Sequence, residues 1–350
     1  MSNPIPTCAA TILVADIGGT HARFALANIA SENIHIHSVE KLLCHDFPTF
    51  PEVIAHYQTL HPEAVAAAKT AMVMAVAAPI IDGDVAAQAN MPWPVRRAEI
   101  AQHFTQAQSK HSNQVHLLND FVALAHAIPT LNESDLQNLC MPASGPRPLG
   151  KEAVLVMGPG TGLGAALWCP GLHEQASTVI ASEAGHATWA PVTDREFAVA
   201  ALLRQEFAHL DVERVLSGPG LMNLYRAICT LEQTMPSLSS PADVTNRAMQ
   251  DHANQRNSCA VAALDMFCGI LGSVMADLCI NFGCQRALLA GGIPSQIVDY
   301  LRQSRLQERV LAKGVMRSVM EQVQVDVLDH GQLALLGAAQ YYREQFLRTL

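Results

Sequence analysis

The sequence has little charge and few aromatic side chains. Of its 350 residues, 15% are charged and 5% are aromatic, whereas 50% are hydrophobic. A chain of this composition is expected to pack a core rather than to remain disordered. The formal net charge is −9 and no basic block occurs. Because an acidic protein gains nothing from counterion release, we expect no nucleic-acid partner.

Long apolar runs and targeting signals are also missing. The longest uninterrupted apolar run, residues 71–81, is far shorter than the roughly 18–20 residues that a membrane span needs. The N-terminus has neither a basic region nor a cleavage site of the kind found in signal peptides. We therefore expect a cytoplasmic protein with no membrane partner.

Metal-binding signatures are absent from the sequence. Nine cysteines are present, but no CxxC pair and no HExxH motif occurs. The sequence therefore predicts buried free thiols in a reducing compartment and no dedicated metal cage.

The predicted elements fall into two similar series. Residues 11–43 alternate as three successive strands, and helices and strands then alternate as far as residue 128. A stretch rich in proline and glycine, residues 142–152, is predicted to be a linker. A second strand, glycine turn and strand follow at 153–168, which suggests two halves that each open with a hairpin. From residue 196 the chain is predicted to be mainly helical, with a strand near 286–294 and a last helix from 332.

Both predicted hairpins have glycine-rich tips: "ILVADIGGTHARFALA" (12–27) and "AVLVMGPGTGLGAALW" (153–168). Glycines let backbone N–H groups converge on an anion. Asp16 would repel a bare phosphate but suits one that carries Mg²⁺, held directly or through water. Thr20 adds a hydroxyl donor. A tight turn without a ligand remains the alternative for each tip, but two such loops across a cleft would hold a polyphosphate from both sides.

Two other phosphate motifs are excluded. "GPGTGLG" does not fit G-x-G-x-x-G and leads into a strand, where a dinucleotide site needs a helix. "GPRPLGKE" (145–152) has the spacing of a P-loop, but it ends in Glu152 instead of Ser or Thr and precedes a strand instead of following one.

Candidate catalytic and sugar-binding residues occur in three further motifs. In "LLNDF" (117–121), Asn119 and Asp120 end an apolar strand, where open α/β sheets place ligand contacts. Asp120 suits a general base, and capping of the next helix is the alternative role for the pair. Glu183 and His186 in "SEAGH" and Glu213 in "DVERVLSGPG" suit a polyhydroxylated ligand. Separately, each of these three also fits a purely structural role.

Together these motifs resemble the bacterial-type glucokinase family, within the group of sugar kinases, actin and heat-shock ATPases. The resemblance runs nearly end to end, through "ADIGGTHARFAL", "AAPIIDGD", "QANMPW", "LLNDFVALAHAIP", "GPGTGLGAALW", "SEAGH", "ERVLSGPGLMNLYRAI" and "LLAGGI".

The resemblance implies a fold and a reaction. The fold is α/β, with two ribonuclease-H-like domains (actin-like ATPase domains) and an active-site cleft between them. It places residues 1–130 with 331–350 in a small domain and 131–330 in a large one, with the last helix packed on the first domain. The reaction is transfer of the ATP γ-phosphoryl group, with Mg²⁺, to the 6-hydroxyl of D-glucose, which is the first step of glycolysis. A homodimer is also implied.

The resemblance also assigns residues. The sugar would be held by Asn119, Asp120, Glu183, His186 and Glu213, with Asp120 as the base. ATP would be bound at the positions Ala15, Asp16, Ile17, Gly18, Gly19, Thr20, Gly160, Thr161, Gly162, Gly291 and Gly292. Three positions depart from the family pattern. His21 stands where Asn is usual after "GGT", and Ser182 and Ala184 replace glycines of G-E-G-G-H.

Rival functions share parts of this pattern. A sugar-sensing regulator on the same fold usually carries a helix-turn-helix and a cysteine-rich zinc motif, which this sequence lacks. An actin-like ATPase would leave "LLNDF" and the Glu183, His186 and Glu213 set without a role. A kinase for fructose, mannose or glucosamine is also compatible, because small pocket differences discriminate modestly.

Overall fold

The computed structural model describes residues 10–30, 33–85, 91–104, 114–171, 177–328 and 331–347. Cys8, the start of "QANMPW" and the end of the last predicted helix lie outside these residues. The strands are β1 (Ala10–Ile17), β2 (His21–Ile29), β3 (Ile34–Leu43), β4 (Met72–Val76), β5 (Ile80–Ile81), β6 (Asp84–Val85), β7 (Val115–Asn119), β8 (Leu136–Cys140), β9 (Val154–Pro159), β10 (Leu163–Cys169), β11 (Thr178–Ser182), β12 (Arg286–Leu289) and β13 (Gln324–Leu328).

The α-helices are α1 (Phe50–Leu60), α2 (Glu63–Thr70), α3 (Arg97–Phe104), α4 (Asp120–His126), α5 (Asp194–Leu203), α6 (Gly218–Leu231), α7 (Pro241–Ala253), α8 (Cys259–Phe282), α9 (Gly292–Gln296), α10 (Val298–Gln303), α11 (Leu306–Leu311), α12 (Arg317–Met320) and α13 (Leu333–Tyr342). Contacts divide the chain into two compact units. The first comprises Met1–Leu131, Gly171–Val179 and His330–Leu350, and the second comprises Asn132–Pro170 and Ile180–Asp329.

The sheet of the first unit has the order β3-β2-β1-β4-β7. β1, β2 and β3 pair antiparallel, and β4 and β7 run parallel to β1. Every residue of β4 is buried, because a central parallel strand is covered on both faces. The three predicted strands within 11–43 and the later strand–helix alternation are confirmed. After β3 a short 3₁₀ turn, Cys44–Asp46, precedes α1, which begins at Phe50.

The main sheet of the second unit repeats this arrangement. Its order is β11-β10-β9-β12-β13-β8. The five strands β9 to β13 therefore have the same spatial order as the five strands of the first sheet, when each set is numbered along the chain. β9 and β10 are antiparallel, and β12 is parallel to both β9 and β13. The α/β class and the two similar halves are therefore observed, whereas the name ribonuclease-H-like stays a prediction.

The C-terminal helix α13 belongs to the first unit, where it packs against α4. The two helices cross closely at Gly337, since a Cβ added there would strike the carbonyl oxygen of Ala123. A glycine at this crossing therefore lets the last helix lie against the one that carries Asp120.

The composition of the proline- and glycine-rich stretch 142–152 predicted a linker, but this stretch does not connect the two units. It lies inside the second unit, where the Arg147 amide donates to Gln324 Oε1 at 2.7 Å and the Arg286 guanidinium donates to the Arg147 carbonyl. These tertiary hydrogen bonds anchor a loop that has the composition of a flexible segment.

Helix α8 is long and apolar enough to cross a membrane by length and composition alone. Of its most apolar window, 72% is buried, and its side chains form much of the core of the second unit. This burial is typical of a core helix.

Candidate active site

The first glycine loop, Gly18–Thr20, joins β1 to β2. The Gly18 amide donates to the His21 carbonyl at 2.9 Å, and the Thr20 carbonyl accepts from the Cys44 amide at 2.9 Å. Within the described residues, the amides of Gly19 and Thr20 have no acceptor, and the Thr20 side chain is exposed. These two N–H groups are the ones that the loop leaves available for an anion.

Two predicted ATP-binding positions lie inside the sheet. Ala15 and Ile17 are completely buried, and each is paired with β2 and β4. Their side chains therefore belong to the core, and these positions serve the loop by fixing where β1 ends.

Asp16 lies at the mouth of this loop with a cationic neighbour. Its Oδ2 is 3.7 Å from Arg23 Nη1, and both side chains are about one-third exposed or less. The pairing follows from the β1–β2 register, which sets Asp16 opposite Arg23. Mg²⁺ keeps several waters and usually takes one or two carboxylates together with substrate phosphates. A single accessible carboxylate fits that mode, and no cluster of three metal-binding side chains occurs among the described residues.

Asn119 and Asp120 lie at the end of β7, where α4 begins. Asn119 Oδ1 accepts from the amides of Phe121 at 2.9 Å and Val122 at 3.3 Å, so it caps α4. Its Nδ2 donates to the Ala78 carbonyl at 3.4 Å, which fixes the orientation of the amide. Both residues are half-buried. The capping role is therefore observed, and it orients the backbone that presents Asp120.

The strand register brings the first loop and this pair to one edge of the sheet. Ile17 lies opposite Val76, and Val76 lies opposite Asn119. The carboxyl ends of β1 and β7 are thus separated by one strand, or about 10 Å at the usual strand spacing. This is the edge at which parallel α/β sheets bind ligands.

The second glycine loop, Gly160–Gly162, joins β9 to β10. The Gly160 amide donates to the Gly162 carbonyl at 2.7 Å, and the Gly160 carbonyl accepts from the Gly218 amide at 2.7 Å. The amides of Thr161 and Gly162 have no acceptor among the described residues, and Thr161 is exposed. As in the first loop, two adjacent N–H groups remain available.

Glu213 packs directly on this loop. Its Oε2 accepts from the Leu163 amide at 2.8 Å, and a Cβ at Gly162 would collide with the same carboxylate. Ser217 fixes the Glu213 backbone, since its Oγ donates to the Glu213 carbonyl at 2.8 Å and accepts from the Gly220 amide at 2.9 Å. Ser217 caps α6, and the Ser-Gly-Pro sequence at the start of that helix is a recognisable capping signal.

The "SEAGH" turn lies against the same hairpin. A Cβ at Gly185 would lie 2.6 Å from the Leu163 carbonyl oxygen, so only glycine fits there. Glu183 is exposed, and His186 is 59% exposed in its side chain. His186 Nδ1 lies 3.6 Å from Asp211 Oδ2, and Asp211 is a residue that the sequence analysis missed.

Gly291 and Gly292 follow β12 beside the hairpin. Gly291 has φ +99°, and a Cβ there would lie 3.0 Å from the Pro159 carbonyl oxygen. Gly292 is exposed at the start of α9. The structure therefore places Glu213, Gly291 and the "SEAGH" turn against the β9–β10 hairpin.

The departures from the family pattern cause no backbone strain. Ser182 and Ala184 are not among the non-glycine residues with positive φ in the described part of the chain, so side chains fit at both positions. Partial burial, with the positive charges of Lys41 and Arg23, lowers the pKa of His21. The lowered pKa favours the neutral form of this imidazole beside the first loop.

Comparison with known proteins identifies the family. The glucokinase family model matches residues 13–345. The chain belongs to the glucokinase family. It is 33% identical over 339 residues to a glucokinase-like protein of Xylella fastidiosa, covering 95% of this chain and 94% of that protein. Further curated relatives at 33–34% identity are named glucokinase.

Solved structures agree with this assignment. A glucokinase from an Antarctic psychrotroph is 32% identical, with a TM-score of 0.78 over 95% of this chain and 98% of that chain. The fold is also shared with a ROK family glucokinase from Streptomyces griseus, solved in complex with glucose and AMPPNP. That protein is 20% identical, with a TM-score of 0.59 over 96% of this chain and all of that chain. The protein is thus an enzyme of a sugar-kinase family with an α/β fold.

Proposed function

We propose that this protein transfers the γ-phosphoryl group of ATP to the 6-hydroxyl of D-glucose, giving glucose 6-phosphate and ADP. The observation that carries the proposal is the position of Asp120, which is fixed by the capped start of α4 at the same sheet edge as the Gly18–Thr20 loop. The glucokinase names of its relatives and the glucose and AMPPNP of the Streptomyces griseus structure support the substrate and the nucleotide.

The residues have separate tasks in this reaction. The free amides of the two glycine loops bind phosphate oxygens, and Gly291 and Gly292 lie near the adenosine. Asn119, Glu183, His186 and Glu213 hold the sugar hydroxyls, while Asp120 accepts the proton of the 6-hydroxyl. The interdomain cleft implied by the resemblance is part of this proposal, as are the homodimer and the cytoplasmic location.

Electrostatics and positioning supply most of the rate. Phosphoryl transfer passes through a loose transition state, so oriented donors matter more than covalent chemistry. Mg²⁺, which Asp16 would hold through water, neutralises charge on the phosphates when bound. Closure that excludes water would protect the phosphoryl group from hydrolysis.

Replacement of Asp120 tests the proposal. In a coupled assay with Mg-ATP across a hexose panel, we expect glucose to be the best substrate. Asp120→Asn should lower kcat by about 10²–10⁴-fold and still bind glucose, measured by the rise in melting temperature on adding the sugar. Asp194→Asn is the matched control, because Asp194 is likewise the first residue of a capped helix but is exposed on α5; its turnover should stay near wild type.

Each other outcome identifies a different function. Near-normal turnover of Asp120→Asn refutes the base assignment. ATP hydrolysis that is independent of sugar favours an actin-like ATPase, and sugar binding without phosphorylation favours a regulator. A higher kcat/KM for another hexose makes the protein a kinase for that sugar.

A further inference from the structure

The second unit contains a cavity of about 480 Å³ beside α6, α7 and α8. Its lining includes Cys229, near the end of α6, and Cys259, the first residue of α8. None of the predicted ATP-binding or sugar-binding residues lines it. The proposed reaction therefore leaves this cavity and its two thiols without a role.

The two cysteines lie close together although 30 positions separate them in the sequence. Both line the same cavity, and Thr234 contacts both of them. Thr234 Oγ1 lies 3.4 Å from Cys259 Sγ and donates to the Cys229 carbonyl at 3.4 Å. Thr234 thus ties the end of α6 to the start of α8 beside the sulfur pair.

The cavity gives a reagent access to one member of this pair. Cys259 is half-exposed, whereas Cys229 is 1% exposed. Cys259 is the first residue of the 24-residue helix α8, and it lines the cavity. The lining of the cavity carries charges of both signs. It includes the exposed Arg247, which has no ion-pair partner among the described residues, and the buried Asp251. Cys259 is therefore the thiol that meets a reagent first.

We propose that Cys229 and Cys259 form a reversible disulfide on reaction with a low-molecular-weight disulfide such as oxidised glutathione. Cys259 loses its proton to solvent and its sulfur attacks one reagent sulfur, which breaks the reagent S–S bond, forms a mixed disulfide and releases one glutathione as its thiolate. Cys229 then loses its proton to solvent and attacks the Cys259 sulfur, which forms the protein disulfide and releases the second glutathione. Two protein thiols are oxidised, and one reagent disulfide is reduced to two thiols.

A second thiol pair serves as an internal comparison. Cys279 and Cys284 are also close together, since the Cys284 amide donates to the Cys279 carbonyl at 3.0 Å, but both are buried, at 2% and 3% exposure. Both pairs bring two cysteines close together, but a reagent has access only to the first pair. We expect the buried pair to stay reduced under native conditions.

Mass spectrometry of the full chain tests the proposal. The folded protein is incubated with oxidised glutathione, quenched in acid, denatured, alkylated and digested. We expect a cross-linked peptide pair containing Cys229 and Cys259, lighter by two hydrogens than the reduced peptides and restored by dithiothreitol. Cys279 and Cys284 should be recovered in alkylated form.

Single substitutions then separate the two steps. Cys229→Ser should stop at a Cys259–glutathione adduct, and Cys259→Ser should leave Cys229 reduced. Cys169→Ser removes another half-exposed cysteine and should keep the cross-link. The result with the wild-type protein tests the proposal even if a variant fails to fold. No cross-link, a lasting mixed disulfide, or a cross-link through Cys8 or another cysteine would overturn the proposal.

Discussion

The Glu213 carboxylate occupies the space beside Gly162 that the Cβ of any other residue would need. Glu213 also accepts a hydrogen bond from the Leu163 amide. Two residues 51 positions apart in the sequence are thus fitted to each other. The sequence showed a glycine-rich tip and a separate acid. Their contact depends on how the turn after β11 and the start of α6 return to the hairpin.

Gly162→Ala tests this contact. The added methyl group must displace the carboxylate and break its hydrogen bond to Leu163, so the free energy of unfolding should fall by about 1–3 kcal/mol. Urea unfolding followed by circular dichroism measures this change, and glucose affinity should fall with it.

Gly160→Ala is the control for stability in the same loop. A Cβ there meets no heavy atom within 4 Å, so unfolding should change by no more than about 0.5 kcal/mol. Equal destabilisation by the two substitutions would show that the Glu213 contact is not the cause.

At the scale of elements, α4 is held at both ends. Asn119 caps its start, and His126 at its last turn lies 3.1 Å from the buried Glu344 carboxylate. Glu344 also accepts from Ser177 Oγ at 2.9 Å and from Gln340 Nε2 at 2.7 Å. These contacts join three distant segments of the first unit: α4, Ser177 and the C-terminal residues Gln340 and Glu344.

This network makes the first unit sensitive to acid. Burial raises the pKa of Glu344, but hydrogen bonds from His126, Gln340 and Ser177 outweigh burial, so its pKa lies below the ordinary value of 4.5. A lowered pKa stabilises the fold at pH above the unfolded-state pKa, and this stability is lost as the pH falls through the folded-state pKa. We therefore expect the melting temperature to fall steeply below about pH 4.5.

Glu344→Gln should flatten that part of the profile, because no carboxylate remains to be protonated. Melting temperatures between about pH 3 and 6 measure the effect. Glu52→Gln, an exposed position on α1, should keep the wild-type profile. If the Glu344→Gln and wild-type curves run parallel, another group causes the acid sensitivity.

At the scale of the whole molecule, the two ends of the chain build one unit. Residues from 330 onward belong with Met1–Leu131, and α13 packs on β1, β4 and α4. The second unit has its own core, in which α8 is central. Loss of the C-terminus should therefore damage the N-terminal part of the protein.

Truncation after Asp329 tests this organisation. We expect amides within residues 10–131 to lose protection from hydrogen exchange, because the apolar face that α13 covers becomes exposed. Amides of α6 and α8 should remain protected and act as the control within the same sample. Protection retained in β1 and β4 would contradict this prediction.

Much of the fold and part of the site could be predicted from the sequence. Alternation identified β1 to β3, and "LLNDF" predicted both the cap and the end of β7, because these signals are local. The Arg23 partner of Asp16, the Asp211 partner of His186 and the anchoring of 142–152 were missed. Each depends on a residue whose position the tertiary fold sets, and composition carries no sign of it.

By itself the sequence determined the elements, the two glycine-tipped hairpins and the family, because these follow from local periodicity and from motifs in a fixed order. Only the tertiary structure decided which amides of those hairpins remain free, that Glu213 fills the space beside Gly162, and that Glu344 secures the helix that carries Asp120. The physical reason is that hydrogen bonding and steric fit are satisfied between segments far apart in the chain, and these segments meet only when the sheets and helices have packed.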